Sequence, residues 1–212
     1  MKIPHFPPSR IAHIATVLGA GALLGAVGPF ATKFDNPVCQ AMGVVFSVGW
    51  SWASFAFLVG YSRRSKIEAS LLASLALAVG VAVYYLFKFL SPEVPAGGHV
   101  IAGAGDGLTS RAVFWGVAAF VFGAPIGLMG SMARTPGIGG LGFRLLVPLI
   151  AFFEASQRLA AEVGDSHGRV VEMVWASVRV LSAVAVVLLV GHTVWSWWHG
   201  RGARQPAPAK RL

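Results

Sequence analysis

Apolar residues in this chain come in long unbroken blocks, neither alternating along a strand nor recurring as a single helical stripe. Six blocks stand out, at 11–30, 39–60, 67–90, 112–132, 141–159 and 170–198. Each is near the ~20 residues that cross a bilayer as a helix. Continuous apolar runs argue against membrane barrel strands, whose outward and inward residues alternate. The pattern predicts an all-α fold: a polytopic membrane protein built as a six-transmembrane-helix bundle over residues 11–198. A tail at 1–10 precedes it, and a polar basic tail at 199–212 is too short to fold. The longest connection, 91–107, is rich in Gly and Pro and reads as a loop.

The charged residues sit mainly between the blocks and set the orientation. Lys2 and Arg10, then Arg63, Arg64 and Lys66, then Arg134 and Arg144, and finally Arg201, Arg204, Lys210 and Arg211 fall on one side. Lys33, Arg111, Arg158 and Arg169 are the sparser set on the other. The positive-inside rule then puts both termini in the cytoplasm and the protein in the plasma membrane, with Trp195, Trp197 and Trp198 at the inner interface. Composition adds that only 12% of residues are charged and 56% are hydrophobic, against roughly 25% charged in a soluble domain. The net charge of +9 is topogenic on this reading, and no basic stripe with interleaved aromatics points to nucleic acid. The first block is too long for the apolar part of a signal peptide and reads as a retained helix. Cys39 is a lone cysteine, the histidines are dispersed, and residues 103–107 lack the GK[ST] of a phosphate loop. No metal or other cofactor is expected.

One carboxylate lies deep inside a block. Glu154 follows Arg144 by ten residues, which at ~1.5 Å per residue puts it ~15 Å into the membrane, near the midplane. A carboxylate there costs several kcal/mol unless paired, protonated or hydrated, so Glu154 is a site candidate, as proton or cation partner or as general acid or base. The competing reading is a structural Glu–Arg pair with Arg158 at i+4. Pro148, six residues earlier, removes a backbone N–H close to this point. Lys88, Arg111, Arg158 and Arg179 lie at similar depth on four helices, and their convergence would suit an anion; independent snorkelling is the alternative. Asp106 and Asp35 are the candidate acidic partners of Glu154. Trp52, Tyr84, Tyr85 and Trp115 are candidate walls of an apolar pocket, and a tyrosine deep in lipid needs a partner for its hydroxyl.

Gly21-Ala-Leu-Leu-Gly25-Ala-Val-Gly28 and Gly123-Ala-Pro-Ile-Gly127-Leu-Met-Gly130 share one pattern. The same shift lays 11–90 on 112–198, which with three spans each would make two inverted repeats, as in many transporters. Small residues also recur wherever membrane helices pack closely.

Tyr84-Tyr85, Phe114-Trp115 leading to Gly123-Ala-Pro-Ile-Gly127, and Ala-Phe-Phe-Glu154 together resemble a family of short six-span actinobacterial membrane proteins known only as a domain of unknown function. The resemblance implies the span count and draws attention to Glu154, but implies no activity. At fold level the chain is similar in size to substrate-binding subunits of vitamin transporters, which need an energising partner, and to small membrane terpene cyclases, which use membrane carboxylates. Three functions follow as expectations: binding and translocation of a small anionic or amphipathic molecule, a membrane-embedded lyase, cyclase or transferase of isoprenoid or lipid chemistry, or a structural subunit of a membrane complex.

Overall fold

The structure, a computed structural model, describes residues 8–91, 104–161 and 168–202. Among these the regular structure is helical throughout: α1 (Pro8–Ala31), α2 (Pro37–Phe46), α3 (Gly49–Tyr61), α4 (Lys66–Leu90), α5 (Ala104–Met132), α6 (Ile138–Ala161) and α7 (Arg169–Gly202). α1, α4, α5, α6 and α7 are each long and apolar enough to cross a bilayer, and α2 with α3 qualifies jointly. This is the build of a multi-pass helical membrane protein.

The block 39–60 departs from the single span expected of it. α2 and α3 are bent by 63°, with the break at Ser47 and Val48. Ser47 has φ −97° and ψ 0°, and Val48 is extended at φ −106° and ψ 156°. The local sequence Ser47-Val-Gly49-Trp-Ser51 explains this. Serine and β-branched valine are indifferent helix formers, glycine is poorer, and a serine hydroxyl offers the backbone an alternative partner. α5 also differs, beginning at Ala104 rather than 112 and so shortening the third connection.

The other starts follow ordinary capping chemistry. Asn36 accepts the Cys39 N–H at 2.9 Å and Pro37 opens α2 with its preset φ. Ser65 accepts the Glu68 N–H, and Glu68 pairs with Arg63 at 3.3 Å.

Helix ends sort into two faces. Lys33 donates to Ser91 Oγ at 2.8 Å, tying the exit of α1 to the exit of α4. At the opposite face Arg134 donates to the Tyr61 carbonyl at 3.2 Å, and Arg144 donates to the Ala133 and Thr135 carbonyls at 2.8 and 2.9 Å. These arginines satisfy carbonyls at helix C-termini, where positive charge is favoured.

Glycine seams pack α4 between α1 and α5. A methyl group at Gly25 would overlap the Gly80 carbonyl, and one at Gly127 would come within 2.5 Å of Ala73 Cβ and 2.7 Å of the Ala69 oxygen. Ser74, fully buried, donates to the Phe120 carbonyl across the same seam at 3.2 Å. The two glycine motifs make different contacts. The first rests on α4 and, at Gly28, on Phe46 and Ser47 at the end of α2, whereas the second rests on α4 and α3, and among the described residues α5 has no packing contact with α7. α7 packs instead on α6 and α2.

Replacing Gly25 or Gly127 by valine should destabilise the fold by about 2 kcal/mol or more, since overpacking a close seam costs ~1–3 kcal/mol. Gly116→Val, with open space around it, is the control in thermal unfolding of the detergent-solubilised protein.

Candidate functional site

Breaking a helix inside a bilayer strands backbone groups that water cannot reach. Here each side of the break is served. On the α2 side, the Ser51 hydroxyl donates to the Val45 carbonyl, and Trp52 Nε1 donates to the Phe46 carbonyl at 3.0 Å. On the α3 side no side chain of Val48 caps the helix. The cap comes from α6: Glu154 Oε2 accepts the Trp50 N–H at 2.9 Å, and Oε1 accepts the Gly49 N–H at 3.4 Å. The positive end of the α3 dipole therefore faces a carboxylate.

Glu154 is half-buried, and its partner is a helix N-terminus, not Arg158. Among the described residues the one side-chain ion pair is Arg63 with Glu68. The Arg158 guanidinium instead sits 5.8 Å from the Trp175 ring centroid. Trp175, 3% exposed, packs with Val48 and Ala155, and Trp50 borders this cluster.

The bend carries α2 away towards α1 and α7, while α3 stays packed on α4, α5 and α6. The C-terminal half of α4 and the N-terminal half of α5 thereby lose the neighbour that a straight second span would have supplied. A cavity of about 400 Å³ occupies that place. Its floor is the break itself, Ser47 to Gly49, with Leu77 and Ile126, and its aromatic walls are Trp52, Tyr84, Tyr85 and Trp115. Trp52 meets Tyr84 edge-on at 6.4 Å, and Tyr84 meets Tyr85 at 5.2 Å. Gly49 belongs to both features: it lines the cavity, and its amide is held by Glu154.

The four aromatics chosen from the sequence thus share one cavity. The four cations divide. Lys88 lies over Tyr84, 5.6 Å from the ring centroid, and Arg111 is one turn from Trp115 on α5. Arg158 belongs to the Trp175 cluster, and Arg179 is exposed on α7, which does not touch α4 or α5. Asp35 is exposed in the α1–α2 turn, where Gln40 donates to it at 3.5 Å. Asp106 falls in the first turn of α5, and its side chain lies outside the described residues. Glu154 is behind the cavity wall and does not line it.

Sequence reasoning missed Ser47, Ser51 and the break they serve. The available signal was Ser47-x-Gly49-x-Ser51, three small or polar residues at the centre of an otherwise apolar block.

No family model matches the chain, nor does any curated protein or solved structure.

Glu154→Ala removes the acceptor of two backbone donors and should cost roughly 2–3 kcal/mol, the upper part of the ~1–3 kcal/mol for a buried group left unsatisfied. Glu154→Gln keeps one acceptor oxygen and should lose about half as much in the same unfolding measurement. Equal stability of Glu154→Ala and the parent chain would contradict the cap.

Proposed function

We propose that the protein is a six-span membrane protein of the plasma membrane, with both termini cytoplasmic, that binds the apolar part of an amphipathic small molecule in the cavity between α3, α4 and α5 and passes it across the bilayer. The aromatic cavity at the broken span carries this reading. Its volume is in the lower range of ligand sites, ~300–1,000 Å³, and apolar walls with few polar groups are typical of them. Broken helices at the midplane are a recurring way for transporters to combine a site with a hinge. Ser47 and Val48 are the hinge in this reading, and Glu154 is the latch that fixes α3 while α2 moves.

Energy for translocation would come from an ion gradient or an energising partner subunit, since the chain carries no phosphate loop. Among the described residues the cavity lining holds no carboxylate, histidine or cysteine, so an acid–base enzyme reading would have to draw its proton from Tyr84, Tyr85 or Ser47 rather than from Glu154. The unequal contacts of α1 and α5 mean that this proposal makes no use of inverted repeats.

The test is native mass spectrometry of the protein purified in mild detergent. The parent chain should retain a small amphipathic ligand. Ala53→Trp, which fills the cavity from α3, should lose it while still unfolding cooperatively. Undiminished ligand retention by Ala53→Trp would place the molecule elsewhere and overturn the reading.

A further inference from the structure

The cavity is not sealed. Trp115 and Phe122 line it and are nevertheless 52% and 62% exposed. Their neighbours on α5, Val117, Phe120 and Val121, are exposed as well, which is the lipid-facing surface of a spanning helix. The opening is therefore sideways, into hydrocarbon, and a molecule dissolved in the bilayer reaches it without crossing water. A volume of about 400 Å³ suits one chain or ring system rather than both chains of a membrane phospholipid.

Polar groups gather at the upper rim, one turn beyond the aromatic walls on two neighbouring helices. Lys88 follows Tyr84 by four residues on α4, and its Nζ is held over that ring at 5.6 Å. Arg111 precedes Trp115 by four residues on α5, so the two share a helix face. Among the described residues neither cation is paired with a carboxylate. Tyr84 and Tyr85 hydroxyls likewise have no hydrogen-bond partner there, although a phenol in an apolar setting normally finds one. Two positive charges and two phenolic donors above an apolar chamber are complementary to one kind of head: an anionic acceptor with several oxygens. A cationic head would be repelled, and a free anion would leave the aromatic walls empty.

Resting on the cavity reading above, we propose that the occupant is a single-chain lipid anion, such as an alkyl or prenyl phosphate, that enters laterally from the outer leaflet and seats its head between Lys88 and Arg111.

The experiment uses the full chain in phosphatidylcholine vesicles and a single-chain phosphate monoester carrying a brominated stearyl tail, with the equally brominated lysophosphatidylcholine as zwitterionic comparison. Quenching assigned to Trp52 and Trp115 is the difference between the parent chain and Trp52→Phe/Trp115→Phe. The phosphate should half-saturate that quenching at about tenfold lower mole fraction, the size expected of one or two charge-assisted hydrogen bonds. Lys88→Gln/Arg111→Gln should erase the preference, and the charge-conserving Lys88→Arg should keep it. Equal quenching by both probes would overturn the head-group proposal and leave the cavity reading standing. Quenching of the two indoles no stronger than from bulk lipid, for either probe, would overturn both. Displacement of the brominated phosphate by inorganic phosphate would show a water-borne anion site and likewise contradict lateral entry.

Discussion

A peptide N–H or C=O without a partner in hydrocarbon costs several kcal/mol, and the second span strands such groups on both sides of its break. The interaction that makes the break tenable is the contact of Glu154 with the first amides of α3, across 104 and 105 residues of sequence. The cost of withdrawing a carboxylate from water and the cost of leaving a helix N-terminus uncapped are each large alone. Together they offset one another: the charge finds donors and a dipole, and the helix finds its acceptor. Ser51 and Trp52 do the corresponding work on the carbonyl side. The broken helix is thus supported on both sides of its break, although the buried Trp50 Nε1 beside it finds no partner among the described residues.

Everything proposed about function descends from that contact. Once α2 can leave the axis of α3, it packs on α1 and α7, and the C-terminal half of α4 and the N-terminal half of α5 face a space instead of a helix. α4 is pressed to backbone contact against α1 at Gly25 and Gly80 and against α5 at Gly123 and Gly127. Aromatic side chains line the vacancy, and Gly49 connects it to Glu154.

The spans were legible in the sequence because hydropathy reports the solvent, and a bilayer asks the same thing of every helix that crosses it. Glu154 was legible as a carboxylate inside an apolar block. Its partner was not. A helix N-terminus in the middle of an apolar block leaves the block apolar, and Arg158 at i+4 was the nearer local candidate. The gathering of Trp52, Tyr84, Tyr85 and Trp115 emerges from the fold alone, because it depends on where α2 is absent. The same holds for the split of the cations. Lys88 and Arg111 lie on α4 and α5, which pack together, while Arg179 sits on a helix that among the described residues touches neither.

The central claim, that a carboxylate of α6 holds the start of α3, is tested most directly by hydrogen–deuterium exchange of the Gly49 and Trp50 amides in lipid nanodiscs. Those amides should be protected in the parent chain and exchange much faster in Glu154→Ala, with α4 amides unchanged. Exchange of Gly49 and Trp50 at the same rate in both proteins would contradict it.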